Sequence, residues 1–314
     1  MNIEKNIPEG FWKLCLALVA AIWGGSFVVI KGTLDAVSPA WLMAIRFLLA
    51  TLAVGVLFRR RLRENLDGSH LVAGALLGVA SGTAYVVQNL GLADTTPGRN
   101  AFLTATYCVM VPFINWVVSH VRPGAHSLVA AVLAVGGVGL IALGGDLSLT
   151  MSWGDWVTLA SAVLFALHIV LVARFSSAHD VMTLTVVQLA TSSALAVVVA
   201  LALEPLPAAS AFAEPGVWVS LAYLVLLSSC FCMVMQNVGQ EHVPPAQAAL
   251  LLSLESVFAV VASVIFYGEE VTPRLALSFA TIFAAVLVSE LGSSWPTRRR
   301  AWGDVVTGVD GRPA

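Results

Sequence analysis

The residues of this chain that could do chemistry stand almost alone inside apolar sequence. Glu255 lies about nine residues into an apolar run that begins near position 246, Arg46 about a third of the way into the run that begins at Pro39, and His168 in the middle of another. Ionisable side chains in such surroundings are costly, so they face a bundle interior or a water-filled cavity. Glu255 could hold a substrate amine or a proton, or act as a structural hydrogen-bond acceptor that pairs with Arg46 or caps a neighbouring helix. Arg46 could grip a substrate carboxylate with both arms of its guanidinium, snorkel to an interface, or pair with Glu255. His168 shares a helical face with Ser161, Leu164 and Phe165, and reads either as a hydrogen-bonded packing residue or as a substrate or proton site. No second His or carboxylate stands at ligand spacing from it, so no metal is expected.

Amides and aromatics complete the set. Gln88-Asn89 and Gln236-Asn237 are adjacent pairs, so their members point in different directions on a helix. One of each pair is expected to line a cavity and the other to tie helices together. Tyr85 stands one turn before them. Asn100, Thr104 and Tyr107 follow at spacings of four and three, which puts them on one face; that stripe reads as a cavity wall or as ordinary interhelical hydrogen bonding. Trp23 beside Gly24-Gly25 can supply an aromatic wall where the backbone is thin. The expected cavity set is Trp23, Arg46, Tyr85, Gln88, Asn100, Tyr107, His168, Gln188, Gln236 and Glu255. There is no GxSxG, HExxH or Walker loop and no acidic cluster, so no catalytic site and no cofactor is expected, and ATP cannot drive transport on this chain.

These residues need elements to position them, and composition names the kind. The 314 residues are 59% hydrophobic and 11% charged, against about 25% charged in a soluble domain. The chain reads as a polytopic membrane protein whose partners are the lipid bilayer and a small-molecule substrate, with no nucleic acid, as monomer or homodimer. Cys15, Cys108, Cys230 and Cys232 all lie in apolar runs and read as membrane-core residues, not as disulfides or metal ligands. The first apolar run, Leu14 to Ile30, is too long for a signal-peptide core. Ten stretches are long enough to span, at about 11–31, 39–58, 70–92, 100–121, 126–145, 154–174, 181–203, 216–238, 246–267 and 274–292. Continuous apolarity excludes β-barrel strands, and without water to satisfy the backbone the spans must be helices. The fold expected is all-α transmembrane.

An internal repeat organises them. At an offset of 148, Gln88/Gln236, Asn89/Asn237, Gly91/Gly239, Pro97/Pro245, Ala101/Ala249 and Leu103/Leu251 coincide, each copy crossing a Pro-containing turn between two spans. An offset of 142 aligns Trp23–Ser26 with Phe165–His168 and Arg46 with Gln188; the longer second-half loop, Glu204–Pro215, accounts for the change. The halves are 11–145 and 154–292, with a polar tail, 293–314, expected to be disordered. Five spans is an odd number, so the second copy enters the membrane from the opposite side: two inverted five-helix repeats around a central cavity. With the N-terminus inside, twelve Lys and Arg fall on one side and three (Lys31, Arg99, Arg274) on the other, which puts both termini in the cytoplasm and the protein in the inner membrane. Spans 5 and 10 carry few polar groups and read as scaffold or dimer helices.

Ala21–Phe27 with Lys31, Arg46-Phe47, Gln88-Asn89-x-Gly91-Leu92, Ser253–Ala259 and Tyr267-Gly268-Glu269 together resemble the EamA type of the drug/metabolite transporter superfamily, over about residues 11–292. The resemblance implies ten helices, cytoplasmic termini, a central cavity walled by helices 1–4 and 6–9, and export of amino acids or other small metabolites. One departure is Ser256, which stands where many relatives carry Pro after the Glu. The expected function is a secondary transporter or facilitator working by alternating access, for amino acids first and toxic amphipathic compounds second. The alternatives are a sugar-phosphate or nucleotide-sugar carrier, for which Arg46 alone supplies too little positive charge, and a membrane sensor, for which there is no signalling domain.

Overall fold

A computed structural model describes residues 8–120, 122–142 and 151–291; the tail 293–314 lies outside the described residues. All regular structure among them is helical. In chain order the helices are α1 (Glu9–Thr33), α2 (Pro39–Leu57), α3 (Arg59–Asn65), α4 (Gly68–Ala93), α5 (Pro97–Ala105), α6 (Tyr107–Ser119), α7 (Ala125–Ala142), α8 (Trp153–Ser176), α9 (Val181–Leu203), α10 (Pro215–Ala222), α11 (Cys232–His242), α12 (Pro245–Ser253), α13 (Glu255–Ala262) and α14 (Pro273–Leu291). A π-helical segment, Tyr223–Phe231, fuses α10 to α11, and a π turn, Ser263–Tyr267, ends α13.

Among the described residues, eight continuous helical stretches are long and apolar enough to cross a membrane: α1, α2, α4, α5–α6, α8, α9, α10–α11 and α12–α13. The chain is a multi-pass membrane protein. The expected spans near 126–145 and 274–292 coincide with α7 and α14, whose apolar described stretches, Ala125–Leu140 and Pro273–Ala285, are shorter.

The helix starts follow from their sequences. Pro stands in the first turn of α2, α5, α10 and α12, where its missing N–H costs nothing. Asp67, Thr96, Ser152 and Asp180 accept from free backbone amides at the heads of α4, α5, α8 and α9, and Ser152 with Asp155 closes a full capping box. α3, absent from the expected spans, carries Arg59, Arg60, Arg61 and Arg63 with no buried residue, an interfacial turn rather than a span.

Two long stretches break in mid-course, one at Thr106 and the other at Leu254, 148 residues apart. Hydroxyls bend both. Thr106 Oγ1 donates to the Leu103 carbonyl at 2.6 Å, and Ser253 and Ser256 donate to the Leu250 and Ser253 carbonyls at 2.7 and 2.8 Å. The second break therefore forms with Ser256, and without a proline, at that position.

Close backbone approach fixes the packing. A Cβ on Gly24 would lie 2.5 Å from Phe258 Cβ and 2.8 Å from the Glu255 carbonyl, so α1 presses directly on α13. Gly74, Gly78 and Gly82, spaced four residues apart, form a ridge and meet Val187, Thr191 and Ser192 of α9. In α7 only Gly137 makes such an approach, to Ile282 of α14; Gly136 and Gly139 have open space. α7 and α14 pair with each other at the side, where Ser278 Oγ donates to the Gly137 carbonyl at 2.7 Å. The remaining helices interleave: α1 packs on α11, α12 and α13, while α8 packs on α4, α5 and α6.

Candidate functional site

A cavity lies where these two packing groups meet α2 and the π segment. α1 contributes Trp23, Ser26, Phe27 and Ile30; α2, Arg46; α4, Tyr85 and Gln88; α6, Tyr107; and α8, Phe165, His168 and Ile169. Ser228 enters from the π segment, Gln236 from α11, Leu252 from α12 and Glu255 from α13. Its free volume is about 30 Å³, room for a few water molecules.

Arg46 is 1% exposed. Its Nε donates to Ser229 Oγ at 2.9 Å and its Nη2 to Ser228 Oγ at 3.2 Å, and the guanidinium lies 5.6 Å from the Tyr85 ring centre. Its Nη1 is buried without a hydrogen-bond partner. Consecutive residues on a regular helix diverge, yet both Ser228 and Ser229 reach one guanidinium, because the π segment widens the turn there. The Ser228 carbonyl accepts Trp23 Nε1–H at 2.9 Å, and its hydroxyl also accepts from Ser26 at 2.9 Å.

Glu255 opens α13 just past the break, 5% exposed, and accepts a hydrogen bond from the Tyr107 hydroxyl. Among the described residues it makes no ion pair with Arg46. In place of the pairing weighed from sequence, Ser228 and Ser229 hold the guanidinium. The cavity thus presents a cation and a carboxyl group that do not neutralise each other.

His168 shares a hydrogen bond with Gln188 Nε2 at 2.9 Å. Asn237 Nδ2 donates to Gln188 Oε1 at 2.9 Å, which turns the amide nitrogen of Gln188 toward His168 and makes His168 Nε2 the acceptor. Gln88 Nε2 donates to Thr104 Oγ1 at 3.1 Å. Gln236 Oε1 is buried without a partner.

Of the ten expected residues, Trp23, Arg46, Tyr85, Gln88, Tyr107, His168, Gln236 and Glu255 line the cavity. Asn100 and Gln188 do not. Asn100 donates to Thr158 Oγ1 at 2.6 Å and ties α5 to α8. Gln188 stands behind His168, also bonded to Ser81 at 3.3 Å. Ser26 and Ser228 escaped the sequence reading. Ser26 had a signal, since it is the repeat counterpart of His168 at offset 142; Ser228 had only its place in a Ser pair inside an apolar run.

The profile of the EamA-like transporter family matches residues 10–143 and again 152–291. The chain belongs to the EamA-like transporter family. Two uncharacterized transporters of Archaeoglobus fulgidus are each 30% identical to it, one over 91% of this chain and 88% of its own length, the other over 79% and 86%. The uncharacterized transporter YrdR of Bacillus subtilis is 28% identical over 44% of this chain and 45% of its own. A crystal structure with 16% sequence identity superposes with a TM-score of 0.66, over 90% of this chain and 97% of that one, a likeness of fold alone.

Proposed function

We propose that this EamA-family protein is a secondary transporter or facilitator that moves small zwitterionic metabolites, amino acids first, out through the cavity by alternating access. The observation that carries this reading is a pair of buried, unpartnered groups on residues that line the cavity: Arg46 Nη1, a charged donor, and Gln236 Oε1, an acceptor, with Glu255 in the same lining. A buried polar group left unpaired costs about 1–3 kcal/mol, more when charged. A ligand that offers a carboxylate to Arg46 and an ammonium group to Gln236 and Glu255 recovers that energy. Trp23, Tyr85 and Phe165 offer the rest of the ligand an apolar, aromatic bed. With Arg46 the only Arg or Lys in the lining, a sugar-phosphate or nucleotide-sugar would find too little compensating charge.

The architecture we infer is ten helices in two inverted repeats, 11–145 and 154–292. Repeat-equivalent contacts support it. Arg46 bonds Ser229 while its counterpart Gln188 bonds Ser81, the counterpart of Ser229. A Cβ on Gly91 would meet Thr158, and one on Gly239 would meet Leu16, again a matched pair under the offsets 148 and 142. Tyr85 and Met233, themselves counterparts, touch at 3.8 Å. Residues that meet their own counterparts lie on the axis relating the halves. The moving bodies are then not the sequence halves. They are the interleaved groups of α1 with α11–α13 and of α8 with α4–α6, which part on alternate faces of the cavity. The excess of Lys and Arg beside α3 and at the α6–α7 and α8–α9 turns favours cytoplasmic termini in an inner membrane.

Proteoliposomes holding the purified protein, assayed against a panel of labelled neutral amino acids with and without a pH gradient, test this reading. Saturable flux of at least one neutral amino acid supports it; flux confined to phosphorylated sugars or to none of the panel contradicts it.

A further inference from the structure

The geometry points to a latch that shuts one face of the cavity by gripping the α4–α5 corner from both ends at once. The inference rests on the interleaved groups just described. Lys31, in the last turn of α1, donates through Nζ to the Leu92 and Ala93 carbonyls at 2.9 and 2.8 Å, the last carbonyls of α4. Glu269, just beyond α13, accepts from the Gly98 amide at 2.9 Å and from the Thr96 hydroxyl, both at the head of α5. A cation thus sits on the negative end of one helix and a carboxylate on the positive end of the next. Both gripping residues belong to the α1, α11–α13 group; the corner they hold joins α4, which packs on α8 and α9, to α5, which packs on α8 and also on α13. The contacts therefore cross between the bodies that must part for this face to open.

Three details indicate a built seat. Ser263 Oγ, buried at the π turn, donates to Glu269 Oε2 at 2.5 Å and aims the carboxylate. Gly268 takes a φ of 71°, a left-handed turn that brings Glu269 back over the corner. A Cβ on Gly98 would lie 2.6 Å from Glu269 Oε2, so a side chain there would push the carboxylate off this position. Lys31 and Thr96 also border a polar cleft of about 410 Å³.

At the opposite corner, α11–α12, the sequence does not repeat these residue types. The counterparts of Thr96, Gly98, Lys31 and Glu269 at the two offsets are Pro244, Ala246, Ala173 and Val121. None of these can donate or accept as the originals do through a side chain. The latch thus works on one face only, the outer one under the orientation proposed above, and it holds that face closed while the inner face is free to cycle.

The test needs no cargo, so its failure is separable from failure of the transport reading. Ile30→Cys lines the cavity one residue from Lys31. Its modification by a membrane-impermeant maleimide is followed by peptide mass spectrometry, which resolves the four native cysteines, in membrane vesicles of both orientations. In Lys31→Ala, Glu269→Ala and Gly98→Ala backgrounds the latch predicts labelling about tenfold faster from the face bearing the α4–α5 corner and unchanged from the other. Glu269→Gln, which keeps the shape, should fall between. Unchanged labelling from the corner face, or an equal rise from both faces as general loosening would give, overturns the proposal.

Discussion

Tyr107 donates its hydroxyl to Glu255, a residue that stands 148 positions later at the same place in the second copy of the sequence. Each of the two follows immediately on a helix break, at Thr106 and at Leu254, so the bends that interrupt α5–α6 and α12–α13 bring counterpart side chains face to face. One copy contributes a phenol and the other a carboxyl group. Hydrogen bonds to charged groups contribute about 1.5–3 kcal/mol, or roughly 10–100-fold in a binding constant. Glu255→Gln is therefore expected to lower transport at least tenfold and to flatten its response to an imposed pH gradient. Tyr107→Phe, which removes only the orienting bond, should cost less. Initial rates in proteoliposomes check both; wild-type rates and pH response in Glu255→Gln would remove Glu255 from the mechanism.

Arg46 owes its position to the π segment. Ser229 and Ser228 hold two of its nitrogens and leave the third, Nη1, buried without a partner. Ser229→Ala should therefore raise KM about tenfold while kcat changes little, and Ser229→Thr should restore most of the loss. A fall in kcat alone would point to a role in the motion instead.

The glycines divide by what surrounds them. Gly24→Ala would drive a methyl group into the backbone of α13, where the nearest atoms lie 2.5 to 2.9 Å from the new Cβ. Overpacking of this kind costs about 1–3 kcal/mol, and a marked fall in Tm in detergent is expected. Gly136→Ala meets nothing within 4 Å and gains up to about 1 kcal/mol of helix propensity, so its Tm should hold or rise. The ordering of the two Tm values is the check.

Asp180 joins the α8–α9 turn to α3. Burial pushes its carboxyl up, but the Thr183 amide and hydroxyl and the Arg61 guanidinium outweigh that and hold it below the usual aspartate value. A depressed carboxylate stabilises the fold fully above its unfolded pKa of about 3.9 and loses that contribution as pH falls through the lower folded value. Asp180→Ala, which removes an N-cap worth about 1 kcal/mol, should therefore lower Tm at pH 7, with the gap to wild type closing only well below about pH 4. A gap that closes already near pH 6 would assign the effect to a histidine.

Much of the fold was legible because a span is a long apolar run and Pro-containing turns, such as the one at Pro97 and the one at Pro245, separate the runs. The π segment at Tyr223–Phe231 was not, since a widened turn leaves no period in the sequence. The site was legible as a list of polar residues, less so as a surface. Asn100 and Gln188 bear the same kind of side chain as Gln88, but their partners are Thr158 and His168. A polar stripe on one helix does not say whether a cavity or a neighbouring helix faces it. Ser228, small and common, carried no such mark, though three side chains converge on it.

The account stands on Arg46 receiving a carboxylate. The direct measurement is the inhibition constant of a neutral amino acid that the protein carries, set beside that of the matching amine without the carboxylate, in wild type and in Arg46→Met. Wild type should bind the amine at least tenfold more weakly than the amino acid, and in Arg46→Met that difference should vanish. An equal penalty for losing the carboxylate in both proteins would contradict the account.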